Sequence, residues 1–355
     1  MSHLRKGTAL PHIRRRSRAR KFVSSSFVVL LFLLTAHSLL LTTFASAWTR
    51  QRTGSLAWLH AVYFSDQDHG WAVGSRGTLL STKDGGNSWQ AKSHPTEDAI
   101  RDINFADPQN GWIICEPAIY DLQSNGEARA YLMKTTDGGE HWQRIKMRGA
   151  EVDARLTRAL FSPGGRGWAF GEGGALYTTH DSGANWIKLQ VPTRYLLLGG
   201  AFIDEDSGWL VGAGSTILQT EDGGKTWQHS RLPIATNNRI NSTSFVDGRL
   251  GWAVGSGGVI YRTVNGGRTW QFQTSGVATD LLDVKFLDAV EGWVVGAEGT
   301  LLHTNDGGRH WRTESSGTPH KLERLFFTDR THGWAVGFGG TIISYGGVEA
   351  PKLRH

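Results

Sequence analysis

The chain has 355 residues, 38 Lys and Arg against 32 Asp and Glu, a formal net charge of +6 and one cysteine. Eight of the basic residues and no acid lie in residues 1–47, so residues 48–355 hold 30 basic against 32 acidic side chains, about −2. A near-neutral body excludes the global electrostatic footprint of a nucleic-acid binder, and a lone Cys115 excludes an internal disulfide.

The first element is a leader. A basic stretch ending at Lys21 precedes the apolar run Phe27–Phe44, which closes on Ala45-Ser46-Ala47, an A-x-A cleavage pattern. Residues 1–47 are therefore expected to act as a signal peptide cleaved after Ala47, or as an anchor formed by residues 22–47. Either way the basic flank stays cytoplasmic and the body is exported.

From residue 48 the chain repeats itself, which is the first test for a repeat fold. Gly-Trp pairs place Trp at 71, 112, 168, 209, 252, 293 and 334, and a Phe stands seven positions before each. A second Trp follows after 18 residues at 89, 186, 227, 270 and 311, and after 30 at 142. Each unit reads as four short strands. In the sixth they are "LLDVKFLD", "GWVVG", "GTLLHT" and "HWRTES". Four antiparallel strands at this period predict an all-β, seven-bladed β-propeller over residues 48–350, followed by a tail at 351–355. The seventh unit lacks its outer Trp. Trp48, 23 residues before Trp71, stands where an outer Trp should, so residues 48–54 are expected to complete the last blade. Fourteen of the fifteen tryptophans are then assigned, and Trp58 is left over.

Six units carry Ser/Thr-x-Asp-x-Gly-x-x-Trp, with Asp84, Asp137, Asp181, Asp222, Asn265 and Asp306 at the acid position. These side chains can cap backbone N–H groups of their own turn. Asn265 serves in the fifth copy, so charge is not required and the role is structural. One carboxylate per turn also lacks the oxygen density of an EF-hand loop. No His or Cys cluster has ligand spacing, so no metal and no cofactor is expected. The turn resembles the Asp-box of sialidases, a resemblance that does not decide activity.

The strand order puts the interblade connections and the Gly loops joining second to third strands on one face, with the Asp-box turns on the other. Binding residues are expected on the first face. Its irregularities are Arg76 in the first Gly loop, Arg101, Arg158, Arg239 and Arg324 near the starts of inner strands, and an insertion in unit two. That insertion, "CEPAIYDLQSNGEARA", contains Glu116, Tyr120, Asp121, Glu127 and Arg129. Converging arginines would make a local positive patch; the alternative is arginines paired with Asp102, Glu323 or Glu298. A glycosidase needs two exposed acids acting as a pair, and nothing pairs Glu116, Glu172 and Glu298.

Together the "GWxVGxxGTLLxTxDGGxxW" units, the leader and "CEPAIY" resemble the photosystem II stability/assembly factor family over residues 48–350. Glu116-Pro117 matches the family's Gly-Glu-Pro in blade two, while Cys115 replaces the Gly. The resemblance implies a non-catalytic scaffold in the periplasm or thylakoid lumen. Its partner would be an exported protein or a membrane-protein intermediate, a photosystem II reaction-centre subunit if the host is photosynthetic. Arg239 and Arg324 fall where the family bears its arginine patch. A monomer is expected. The alternative function is a carbohydrate-binding or glycan-hydrolysing propeller.

Overall fold

A computed structural model describes residues 48–118, 129–147, 154–162, 164–233 and 237–346. The leader 1–47, the tail 351–355 and the insertion residues Tyr120, Asp121 and Glu127 lie outside the described residues. The described chain forms seven four-stranded antiparallel sheets. We number them as blades 1 to 7 from the unit containing Trp71, and name their strands from inner to outer. The inner strands are Leu59–Phe64, Ala99–Phe105, Leu156–Phe161, Leu197–Phe202, Ile240–Phe245, Leu281–Phe286 and Leu322–Phe327. Among the described residues no helix is long and apolar enough to cross a membrane.

The Phe, Gly-Trp and outer-Trp positions form one packing unit. In blade 5, the Phe245 ring stacks on Trp209 of blade 4 at 3.5 Å and 8°. It also meets Trp270 of its own blade edge-on at 5.8 Å and 86°. The Phe ring lies directly over the glycine preceding the inner Trp: a Cβ on Gly251 would stand 2.3 Å from Phe245. That close approach is why Trp is preceded by glycine in all seven units. Each aromatic pair adds roughly 0.5–1.5 kcal/mol beyond its area burial, and the pairing runs between blades, so it specifies the ring as well as the sheet.

The ring closes as the repeat predicts. Trp48–Arg50 is the outer strand of blade 7 and pairs antiparallel with Ile342–Tyr345, Trp48 opposite Tyr345. Trp48 meets Phe327 edge-on at 5.9 Å and 89°, the geometry of the other outer tryptophans. This strand is shorter than the expected 48–54. The ladder ends with the Gln51 amide donating to Ile342 at 2.9 Å. The chain then turns inward, where the Thr53 hydroxyl donates to the Gly340 carbonyl and Gly54 takes φ 66°. The Trp334 indole N–H also crosses the seam, donating to the Gly85 carbonyl of blade 1 at 2.9 Å.

Candidate functional site

The Asp-box turns lie on the face opposite the Gly loops and share one hydrogen-bond pattern. Asp84 accepts from the Thr82 hydroxyl at 2.8 Å, the Ser88 amide at 2.8 Å and the Ser88 hydroxyl at 2.6 Å. Asn265 accepts in the same way from the Thr263 hydroxyl and the Thr269 amide, and its side-chain NH2 donates to the Thr269 hydroxyl. Hydrogen bonds from His141 hold the Asp137 carboxyl well below its usual range, and those from Thr226 hold Asp222 down at about 2. Asp181 and Asp306 sit in the same cage. Every acceptor oxygen of these aspartates is turned into the loop, which is the geometry of a staple. Among the described residues, no group of three or more His, Cys, Asp or Glu could hold a metal ion.

The opposite face carries the concave surface. Every inner strand has a β-bulge near its start, between Ile100 and Asp102 in blade 2 and between Leu156 and Arg158 in blade 3. A bulge re-aims side chains, so in blades 2, 3, 5, 6 and 7 two successive residues face the centre. The bulged residues, eleven positions before each inner Trp, are His60, Arg101, Thr157, Leu198, Asn241, Leu282 and Glu323. All seven line a mouth cavity of about 330 Å³ with Trp58, Glu116, Arg155, Lys321 and Arg324. The next ring begins the channel below, about 610 Å³, which contains Asp102, Arg158, Ser242, Asp283 and Arg324.

The mouth is held by a chain of polar contacts across four blades. Glu323 of blade 7 accepts from His60 Nδ1 at 2.9 Å, and His60 Nε2 takes the Arg101 guanidinium at 3.1 Å. Arg101 donates to Glu116 at 2.5 Å, and Arg155 reaches the other Glu116 oxygen at 3.4 Å. Lys321 lies 2.8 Å from Glu323. Burial would raise the Glu323 carboxyl, but hydrogen bonds from His60 and Lys321 outweigh it and its pKa is lowered. The cavity thus holds four cationic side chains, Arg101, Arg155, Lys321 and Arg324, against two acids. Arg324 is the cation without an acidic partner among the described residues, and its Nε is buried without an acceptor.

One level down, Arg158 of blade 3 spans the channel to Asp283 of blade 6 at 3.1 Å. Asp283 also accepts from the Ser242 hydroxyl at 2.5 Å and the Leu325 amide at 2.9 Å. Asp102 accepts from the Ala159 amide at 3.1 Å. Burial pushes the Asp102 carboxyl up to about 7, against the pull of Arg158. A raised carboxyl favours the protonated fold, so this contribution to stability is complete below about pH 4 and is lost as pH rises through about 7. Asp102→Asn, which keeps the acceptor for Ala159, is expected to remove that loss. Urea unfolding at pH 5 and pH 8 should show the variant gaining on the wild type at pH 8.

Of the six arginine and glutamate candidates, the structure brings Arg101, Glu116 and Arg324 together in the mouth and puts Arg158 in the channel, bound to Asp283. Arg239 lies outside the mouth, exposed and 3.3 Å from Asp280. Arg76 is exposed in its Gly loop at φ 54°, away from the cavity. Arg129 pairs with Glu172 at 2.9 Å. Sequence reasoning missed His60, Arg155, Asp283 and Lys321. Their signal is positional: counting back 10 or 11 residues from each inner Trp lists the central residues blade by blade, and counting back 13 lists the rim that includes Arg155 and Lys321. Cys115 is buried and its thiol is pushed up to about 12 by burial.

A family model described as photosynthesis system II assembly factor YCF48 matches residues 41–128, 95–196, 184–276 and 272–346. The chloroplastic photosystem II stability/assembly factor of Oryza sativa subsp. japonica is 30% identical over 127 residues, 34% of this chain and 27% of that protein. The photosystem II assembly lipoprotein Ycf48 of Synechococcus sp. (strain CC9902) is 32% identical over 132 residues, 35% of this chain and 34% of that protein. The matched stretches span about a quarter to a third of these relatives' length. A solved structure of YCF48 bound to a D1 peptide aligns with TM-score 0.69 at 24% identity, covering 84% of this chain and 97% of that one. The GH74 xyloglucanase of Xanthomonas campestris aligns with TM-score 0.64 at 13% identity, over 84% of this chain and 53% of that one. Both structural likenesses speak for the propeller alone. With matched segments running from residue 41 to residue 346, the chain belongs to the photosystem II assembly factor Ycf48 family.

Proposed function

We infer that this chain is a non-catalytic, exported scaffold that docks an acidic segment of a photosystem II reaction-centre protein at the channel mouth. The observation that carries the reading is the excess of cations there, with Arg324 left without an acidic partner among the described residues. A guanidinium in a protein-walled cavity is suited to bidentate carboxylate binding. The solved relative with a D1 peptide supports a polypeptide ligand. Both mouth acids, Glu116 and Glu323, are engaged by bases, which favours a binding surface over a glycosidase pair. Export to a periplasm or thylakoid lumen, with cleavage after Ala47 or retention of an anchor, follows from the leader. Arg76 and Arg239, on the outer loops of the same face, would add long-range attraction more than contact energy.

Arg101→Ala with Arg324→Ala is expected to weaken binding of a fluorescent acidic reaction-centre peptide at least tenfold, with a steeper loss at low salt. The thermal midpoint of the variant serves as the folding control. Equal anisotropy titrations of variant and wild type would contradict the reading.

A further inference from the structure

Trp58 is the tryptophan that the repeat does not use. It stands thirteen residues before Trp71, at a rim place held in blades 2 to 7 by Ala99, Arg155, Leu196, Arg239, Asp280 and Lys321. Its ring is 36% exposed and lines the mouth. Phe338, 50% exposed, meets it edge-on at 5.7 Å. Phe338 is likewise out of pattern: the equivalent Gly-loop place is Ser75, Glu116, Glu172, Ala213, Ser256 or Ala297 in the other blades. Leu56, two residues before Trp58, is 90% exposed. The Lys321 ammonium lies 5.0 Å from the Trp58 ring centroid, so the apolar wall and the cationic mouth are contiguous. Fourteen other tryptophans pack the ring, and none of these three side chains is needed for that. Exposed aromatics beside a basic cavity are the composition of a binding hot spot.

We propose that Trp58 and Phe338 form an apolar wall that selects, in the polypeptide held at the mouth, a bulky apolar side chain close to the carboxylate bound by the arginines. This rests on the reading of the mouth as a peptide site and names the ligand's chemistry: an extended acidic segment carrying a Leu, Ile, Phe or Trp. A mouth of about 330 Å³ admits a few side chains and no folded domain. Charge complementarity fixes the acidic half of the ligand. The exposed rings at the seam of blades 7 and 1 fix the apolar half and set which way the segment runs. A carboxylate alone would leave the wall wet; an apolar side chain alone would leave Arg324 unpaired.

The test uses the full chain and two labelled octapeptides with the same acids, one carrying Phe and the other Ser beside them. The Phe peptide is expected to bind the wild type about tenfold tighter. Trp58→Ser with Phe338→Ser should erase that difference, the Phe peptide losing about tenfold more affinity than the Ser peptide. Arg101→Ala with Arg324→Ala should weaken both peptides. Equal affinity of the two peptides for the wild type, or a difference that survives the Trp58/Phe338 variant, overturns the wall while the mouth stands. Failure of both peptides to bind overturns the mouth and the wall with it, as does saturable binding of a neutral oligosaccharide lost with Trp58. Unchanged thermal midpoints confirm that the exposed substitutions leave the fold intact.

Discussion

Asp283→Ala is expected to destabilise the propeller by about 3–5 kcal/mol, the cost of breaking a buried ion pair from one side. Asp283 is 4% exposed, and its two oxygens take hydrogen bonds from three other blades: Arg158 of blade 3, Ser242 of blade 5 and Leu325 of blade 7. Removing it leaves the Arg158 guanidinium buried, with Nε already lacking an acceptor and Asp102 as the remaining acid nearby. Asp102 is pushed toward its neutral form by burial, so it is a weak substitute near neutral pH. The Leu325 amide and the Ser242 hydroxyl lose their acceptor as well, each an unsatisfied buried group. Arg158→Met in the same chain should restore a large part of the loss, because the uncompensated charge goes with it. Urea unfolding of the two single variants and the double measures this. A loss below about 1 kcal/mol for Asp283→Ala would mean that the channel is open enough for water to replace the carboxylate.

Trp48→Ala should cost about as much, roughly 3–5 kcal/mol, as buried Trp-to-Ala changes do. Its ring is buried against Trp293 at 5.5 Å and Phe327 at 5.9 Å, and beside Tyr345. The loss is also topological. Three residues pair the amino-terminal strand to Ile342–Tyr345, and that pairing covers the outer edge of blade 7. Hydrogen exchange should therefore quicken first at Ile342–Tyr345, before the other blades open. Trp58→Ala, at an exposed site, should change stability by less than about 0.5 kcal/mol. Equal losses at Trp48 and Trp58 would remove the distinction between closure and surface.

The repeat made the architecture legible. Spacing of Phe, Gly-Trp and outer Trp gave seven blades, the two faces and the strand that closes the ring, because each position does the same job in every blade. The short reach of that closing strand was not legible, since the turn at Gly54 and Thr53 depends on contact with Gly340 across the seam. The mouth was legible in part. Arg101, Glu116 and Arg324 were named because they interrupt the pattern, while His60, Arg155 and Lys321 lie in stretches without a motif. A β-bulge has no sequence signature here, yet it turns two successive residues toward the centre in blades 2, 3, 5, 6 and 7. That is why the sequence offered Arg158 either a positive patch or pairing with Asp102, Glu323 or Glu298, while the fold binds it to Asp283, 125 residues away. Arg239 read as part of the patch because it precedes an inner strand; two residues decide that it sits on the rim, beside Asp280.

The claim on which the functional reading turns is that the partner enters at the bulge ring and not at the Asp-box turns. A photo-crosslinking amino acid placed at Leu198, in the mouth, and another at Asn87, on the Asp-box face, test it directly in the presence of a reaction-centre protein. Adducts from Leu198, competed away by the acidic peptide, with none from Asn87, are the predicted result. Adducts from Asn87, or from both positions alike, would contradict it.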